Sequence, residues 1–271
     1  MAISVDEVKR MLEQTLVPPL DTVELDPNSV KAAASRLGDA RGTEGERYHL
    51  ASSLTPAGVK RLLPEKIAST VREFYFTTAD EGAKRMAEEG SNRVVSWQTV
   101  APQLAQVFAP CWTEPQVVAA LYGVDVLVVA DGALWRQVPG RPDLVYEATW
   151  SEDDTVALQH AIPGVPNLSG PGRAFAFLVA TIARSQFLHG ERGYRSSLMS
   201  AGLVASGLLR GCLLPPGTGW RPALVEAFID REVNDLLRND GVDRGTVAVL
   251  LLSRIESPAT HGHAPQNVGE S

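Results

Sequence analysis

One stretch of the sequence places a titratable side chain among charged residues and glycines. It runs from 187 to 211, and its polar start, residues 189–195, reads HGERGYR. His189 is its candidate catalytic residue, because an imidazole titrates near neutral pH and suits a general base. The alternative is a histidine that only forms a hydrogen bond where a strand meets a helix. The other charged residues are expected to form a structural ion-pair cluster: Glu191, Arg192 and Arg195.

The rest of this stretch predicts a buried central helix. Residues 198–209 are apolar on nearly every side of a helix, and a helix with this pattern is buried. Because the N-terminal end of a helix attracts anions, its polar start marks the expected position of a cofactor or of chemistry. Small residues in the helix would let another surface approach closely: Ala201, Gly202, Ala205, Ser206 and Gly207.

Three other patterns give weaker indications of a ligand. The loop at 216–219 is rich in glycine, but it lacks GK[ST] and follows a helix, so it is not a P-loop. His261 and His263 lack further ligands at metal-binding spacing, so no metal site is predicted. Cys111 and Cys212 lie far apart in apolar surroundings, and we expect buried thiols in a reducing cytosol.

Composition narrows the class of protein. The 271 residues carry a formal net charge of -7, and no basic stripe offsets it, which argues against nucleic-acid binding. The N-terminus has no apolar segment of a signal peptide. No apolar run approaches the ~18 residues that a membrane span needs. We therefore expect a cytoplasmic protein with no membrane partner.

The wider pattern predicts an α+β domain. Residues 124–130 read as a buried strand, and Asp131-Gly132 is a two-residue hairpin signal leading to a second strand at 133–138. Further strands are predicted at 144–150, 174–183 and 246–255, and helices at 79–89, 99–109, 151–161 and 230–238. Residues 214–222 are predicted to be a loop.

These elements predict a mixed or antiparallel sheet of four to five strands around the central helix. We expect an N-terminal helical extension at 1–44, one domain at 45–256 and a disordered tail at 257–271.

In this order the segments resemble one family. HGERGYR, an apolar AGLVASGLL helix, a Gly/Pro loop, DREVNDLL and a last apolar strand follow one another. They are similar to the C-terminal half of the SagB-type nitroreductase-like dehydrogenases, the FMN-dependent enzymes of azole-modified peptide biosynthesis. ALYGVDV at 120–126, the hairpin at 134–145 and YHLAS at 48–52 extend the resemblance over residues 45–256.

The resemblance implies a nitroreductase fold that forms a dimer with FMN in a cleft at the interface. It implies the oxidation of a thiazoline or oxazoline in a peptide to the aromatic azole, with hydride passing to flavin N5. The expected partners are a modified peptide of ribosomal origin, a cyclodehydratase or a paralogous dehydrogenase subunit, in a homodimer or a heterodimer.

The resemblance also implies site residues. The family's flavin-phosphate motif RSxR corresponds to residues 90–93, where Ser91 and Arg93 remain and the first arginine is replaced by glycine; the alternative is a simple helix end and turn. The flavin loop PSAG falls on QVVA at 116–119. The turn beside flavin N5 falls on Glu226 and Ala227, where only a backbone N–H is needed. Arg254 could be a second phosphate cation or a solvated residue at a strand end.

The largest departure lies at the family's Lys-Tyr pair, which reads Leu188-His189 here. Leucine cannot do proton chemistry, so His189 is the candidate base. Two hypotheses follow. The chain is an FMN-dependent oxidoreductase, or it is a flavin-poor or flavin-free relative that serves as a partner subunit, a peptide-binding protein or a non-redox protein.

Overall fold

The computed structural model describes residues 63–89, 93–165, 168–170, 172–213 and 219–255. All of them belong to the compact unit Pro56–Ser271, the other unit being Met1–Thr55. The predicted N-terminal extension, the YHLAS stretch, the loop at 214–218 and the predicted tail lie outside the described residues.

Seven described strands form one sheet. They are β1 (Val94–Ser96), β2 (Val124–Ala130), β3 (Ala133–Gln137), β4 (Asp143–Thr149), β5 (Arg173–Thr181), β6 (Trp220–Val225) and β7 (Arg244–Arg254). Their order is β1-β4-β3-β2-β5-β7-β6, and each neighbouring pair is antiparallel. The hairpin between β2 and β3 turns at Asp131 and Gly132, whose φ values of 51° and 69° suit a two-residue turn. The predicted hairpin is therefore confirmed.

Helices cover both faces of the sheet. They are α1 (Glu65–Glu88), α2 (Trp97–Val100), α3 (Pro102–Phe108), α4 (Pro110–Thr113), α5 (Pro115–Ala120), α6 (Glu152–Ala161), α7 (Ile182–His189), α8 (Gly193–Leu213) and α9 (Asp230–Leu236). Ser151 and Asp154 form a capping box at α6, because each side chain accepts a hydrogen bond from the other's backbone N–H. The predicted start of this helix is confirmed.

Two hydrophobic cores lie on opposite faces of the sheet. Alternate residues of β2 divide between them: Val126 faces α8 and α3–α5, whereas Leu127 faces α6 and α9. Both cysteines are buried thiols, as predicted. Burial raises the pKa of Cys111 to about 12 and the pKa of Cys212 to about 11, which disfavours the thiolate near neutral pH.

Several element predictions were wrong. The sheet has seven described strands rather than four or five, since β1 is only three residues long and β6, which contains Pro222, begins inside the predicted loop. Both are edge strands, where a short segment or a proline is tolerated. Helix α1 begins at Glu65 rather than near Ala79. The strand predicted at 174–183 ends at Thr181 and is followed by α7.

Helix α8 is buried on one face only, so the prediction of a helix buried all round was also wrong. Val204 and Leu208 are fully buried, whereas Met199 and Leu203 are 75% and 47% exposed. Gly207 and Gly211 pack closely: a Cβ on Gly207 would lie 2.8 Å from Val117 Cγ2. Gly202, predicted to admit a neighbouring surface, has no atom within 4 Å of its Cβ position.

By length and composition, the helical segment Ile182–Leu213 passes a test for membrane spans. In the most apolar 18-residue part of this segment, 44% of the residues are buried in the fold, and the core helix of a soluble protein has the same length and composition. The segment is therefore only weak evidence for a membrane span.

Candidate functional site

His189 lies where two helices meet. It is the last residue of α7, and a 3-10 turn, Gly190–Arg192, leads directly into α8. Gly190 has a φ of 56°, which glycine adopts without the steric cost that a side chain would add. The predicted junction between a strand and a helix is therefore a junction between two helices, because α7 separates β5 from α8.

Two cavities adjoin at His189. We call the inner one, of about 390 Å³, the His189 cavity, and the second, of about 370 Å³, the outer cavity. Both are lined by His189 and by three residues of α8: Ser196, Ser200 and Leu203. The outer cavity also contacts Arg192 and Arg195, so the structure places both arginines of the HGERGYR stretch beside His189.

The His189 cavity has a polar side and a side of small residues. Its polar lining comes from four separate segments: Arg72, Gln116, Tyr122, Ser185, Ser196 and Ser200. The small residues are Ala119, Ala120 and Gly123. A Cβ on Gly123 would lie 3.1 Å from the hydroxyl oxygens of both Ser185 and Ser200. The absent side chain therefore keeps both hydroxyl groups accessible from the cavity.

The environment favours a neutral His189. Partial burial and the positive charges of Arg72 and Arg192 lower the pKa of His189 below the ordinary value of 6.5, and Glu65 acts in the opposite direction. An imidazole with a lowered pKa is unprotonated at neutral pH, so it has a free lone pair that can accept a proton.

A partly buried charged cluster lies next to Tyr122. Arg184 forms an ion pair with Asp125 at 2.9 Å, and Arg244 pairs with the other oxygen of the same carboxylate at 2.9 Å. The Arg184 guanidinium also lies 4.4 Å from the centre of the Tyr75 ring. The Tyr122 hydroxyl donates to the Arg184 backbone carbonyl at 3.2 Å. These contacts link α1, β2 and α7 behind the cavity.

The sequence-predicted flavin residues lie in different places. Arg93 precedes β1, and its carbonyl accepts a hydrogen bond from Tyr146 N at 2.7 Å. Glu226 and Ala227 follow β6, and Glu226 borders an apolar slot of about 270 Å³ between α8 and the sheet. Arg254 ends β7 and lines a polar cavity of about 200 Å³. Ser91 lies outside the described residues.

One chain does not bring these residues together. Arg93 lies at the β1 edge and Glu226 at the β6 edge, which are six strand spacings, or about 29 Å, apart. Arg254 pairs with Trp220, which is at the opposite end of β6 from Glu226. Arg254 and Glu226 are therefore about 20 Å apart. The structure does bring two positions of the QVVA segment, Gln116 and Ala119, to the cavity that contains His189.

Sequence reasoning missed several polar residues of this cavity, among them Ser196, Ser200, Ser185 and Arg72. Ser200 follows Ser196 by four residues on α8 and therefore shares its face, which is a signal that could have revealed both serines. Ser185 lies on α7, which the sequence pattern concealed within a predicted strand. Arg72 comes from α1, and no local spacing links that helix to His189.

No protein-family model matches the chain, and the search of curated proteins gave no match. Solved structures similar to this one include nitroreductase-like proteins. One, from Anabaena variabilis, has a TM-score of 0.42 and 27% identity over 50% of this chain and 28% of its own. Another, from Ralstonia eutropha, has a TM-score of 0.43 and 17% identity over 58% and 73%. The chain thus spans little more than a quarter of the Anabaena protein.

A third similar structure is the E. coli microcin synthetase McbBCD complex with truncated pro-MccB17 bound. Its TM-score is 0.48, with 14% identity over 60% of this chain and 65% of that one. At TM-scores below 0.5, these similarities do not by themselves assign a function to the chain.

Proposed function

We propose that the chain is a nitroreductase-like, FMN-dependent oxidoreductase that acts in the cytoplasm on a modified peptide, converting a thiazoline or oxazoline ring to the azole. One observation carries the proposal. His189, at the position of the family's proton-transfer pair, lines the same cavity as Gln116 and Ala119, at the position of the family's flavin loop. These positions are far apart in sequence and belong to different helices, His189 to α7 and the other two to α5.

The lining of this cavity is compatible with a flavin. Its lining includes the small residues Ala119, Ala120 and Gly123, which leave space for a ring, and Gln116 offers an amide that can donate and accept hydrogen bonds. Bound FMN would supply a two-electron acceptor. The residues that would hold it in this chain are those at positions 116, 119 and 123, with Ser91, Arg93, Glu226, Ala227 and Arg254 as the proposed remaining contacts.

The proposed role of His189 is to accept a proton from the ring carbon of the substrate. Aromatisation of an azoline removes two hydrogens: one leaves as a proton to the imidazole, and the other leaves with the electron pair as a hydride equivalent. The lowered pKa of His189 keeps the imidazole ready for the proton at neutral pH.

The proposed flavin contacts require two copies of the chain or a paralogous partner. Arg93 and Glu226 lie on opposite edges of the sheet, too far apart to contact the same flavin in one chain. The exposed apolar face of α8, with Met199 and Leu203, provides a surface for such pairing.

The test is the visible spectrum of the purified protein. We expect flavin absorbance and release of FMN on heating. His189→Ala is expected to keep the flavin and to lose about 100-fold or more of the turnover of a thiazoline peptide, since general bases contribute that much. His160→Ala is the matched control, because His160 is exposed at the end of α6 on the other face of the sheet. Unchanged turnover in His189→Ala would refute the role of His189.

The second candidate function is a flavin-free partner subunit or peptide-binding protein. It is favoured by the glycine at position 90 and by the separation of Arg93, Glu226 and Arg254 in the chain. A colourless protein that does not bind added FMN, alone or with a cyclodehydratase or dehydrogenase partner, would establish this alternative and exclude the first.

A further inference from the structure

The lining of the His189 cavity includes a cationic side chain whose carboxylate partner, Glu65, lies outside the lining. Arg72 contributes a guanidinium, and His189 is neutral at pH 7 because of its lowered pKa. None of the described residues that line the cavity has a carboxylate. A cation in a partly enclosed site without an acid in the lining favours the binding of an anion.

Hydroxyl donors surround the same space. Ser185 is 1% exposed and Ser197 is fully buried, and their hydroxyl oxygens share a hydrogen bond at 2.7 Å. When the Ser197 hydroxyl is the donor in this bond, the O–H group of Ser185 can donate to a group in the cavity. Ser200 lies next to it across Gly123, and Ser196 is one turn earlier on α8.

The ion pair of Arg72 leaves it able to bind a ligand. Glu65 contacts a single guanidinium nitrogen of Arg72 at 2.5 Å, and the Glu65 side chain is 82% exposed. Exposed ion pairs of this kind are weak. A guanidinium has five N–H donors and binds carboxylate or phosphate oxygens in pairs.

We propose that the His189 cavity is an oxyanion-binding site, in which Arg72 is the counter-ion and Ser185, Ser196 and Ser200 are hydrogen-bond donors to a carboxylate or phosphate group. If the proposed function is right, this group belongs to the peptide substrate or to the cofactor, and the inference rests on the same cavity. Its test uses neither flavin nor turnover, so the oxyanion site and the oxidoreductase activity can fail separately.

The proposed anion would lie beside the imidazole and would change its titration. The charged groups that act on His189 are Arg72 and Glu65 of α1 and Arg192 of the 3-10 turn. A bound oxyanion offsets the two arginines, so the pKa of His189 is expected to rise on binding toward its ordinary value of 6.5, at which the imidazole is still mostly neutral at pH 7. The same linkage requires the anion to bind more tightly as the pH falls through that pKa.

The experiment follows the imidazole signals of the full-length protein by NMR during a pH titration, with His189 assigned through His189→Ala. The probes are inorganic phosphate, N-acetylglycine and the uncharged N-acetylglycinamide. If only phosphate raises the midpoint of the His189 titration, the natural ligand carries a phosphate group. If N-acetylglycine raises it, whether or not phosphate does so too, the ligand carries a carboxylate. Either result supports the site. No shift with both anions, or an equal shift with N-acetylglycinamide, overturns it.

Two arginines of α1 provide a matched pair of variants. Arg72→Met is expected to weaken binding of the effective anion by about tenfold or more, since a hydrogen-bonded charge is lost, and Arg72→Lys should recover part of it. Arg85→Met should bind as the wild type does, because Arg85 is exposed in the last turn of α1. The same spectra report whether each variant is folded. Equal affinity in Arg72→Met and Arg85→Met would overturn the role of Arg72.

Discussion

Replacement of glycine by alanine is expected to have opposite effects on stability at Gly211 of α8, which packs closely on α3, and at Gly82 of α1, which does not. In Gly211→Ala the new Cβ would overlap the Val107 carbonyl oxygen and lie 2.9 Å from its carbonyl carbon. These are backbone atoms, so relief requires the two helices to move apart. In Gly82→Ala, within α1, the Cβ would meet no atom within 4 Å.

The magnitudes follow from two opposing effects. Overpacking costs about 1–3 kcal/mol, and the fixed backbone of α3 places Gly211→Ala near the upper value. The gain in helix propensity from glycine to alanine is about 1 kcal/mol. We therefore expect Gly211→Ala to lower the free energy of unfolding by about 2 kcal/mol, and Gly82→Ala to raise it by about 0.5–1 kcal/mol.

The assay is thermal and urea unfolding of both variants beside the wild type. A loss of about 2 kcal/mol corresponds to a fall in Tm of about 4–8 °C for a domain of this size. A stabilised or unchanged Gly211→Ala variant would show that α8 does not pack on α3 as described. A destabilised Gly82→Ala variant would show that the surface of α1 is covered.

Three further predictions concern the surface, the charged cluster and the histidine. Gly202→Ala should raise the free energy of unfolding by about 0.5–1 kcal/mol if the exposed face of α8 meets water, whereas a concentration-dependent loss of stability would reveal a second chain packed on it. Asp125→Asn should cost about 2–3 kcal/mol in urea unfolding, because it leaves Arg184 and Arg244 without their shared carboxylate; no loss would mean that the cluster contributes nothing. Because the folded state lowers the pKa of His189, the unfolded chain binds more protons below pH 6.5, and the wild type should lose stability there relative to His189→Gln. Parallel pH profiles of the two proteins would argue against the buried environment of His189.

The sequence predicted best those elements whose signals are local. The turn at Asp131 needs a backbone that aspartate and glycine tolerate, and the capping box at Ser151 uses groups three residues apart. Both signals are complete within a few residues. The same is true of β2, whose predicted and observed bounds agree.

The missed elements depend on distant parts of the chain. Thr181 and Ile182 read as a continued strand because β-branched residues favour strands. In the fold, the backbone N–H of Thr181 bonds to Gly123 O and that of Ile182 to Asp243 O, each at 2.8–2.9 Å, and α7 begins there. Arg72 and Ser185 join the cavity only through this arrangement, so their place in the site could not be read from spacing.

The two neighbouring residues Leu188 and His189 have different environments in the fold. Leu188 is 2% exposed and packs with Ala68 and Tyr122 in a small core below α1. His189 is one residue, and so about 100° of helix rotation, further on, and it faces the cavity instead. A basic side chain at position 188 would have to enter that apolar core, where an ionised group is costly. Leu188 therefore contributes to the stability of the wall behind the cavity, and under the proposed function the proton transfer falls to His189.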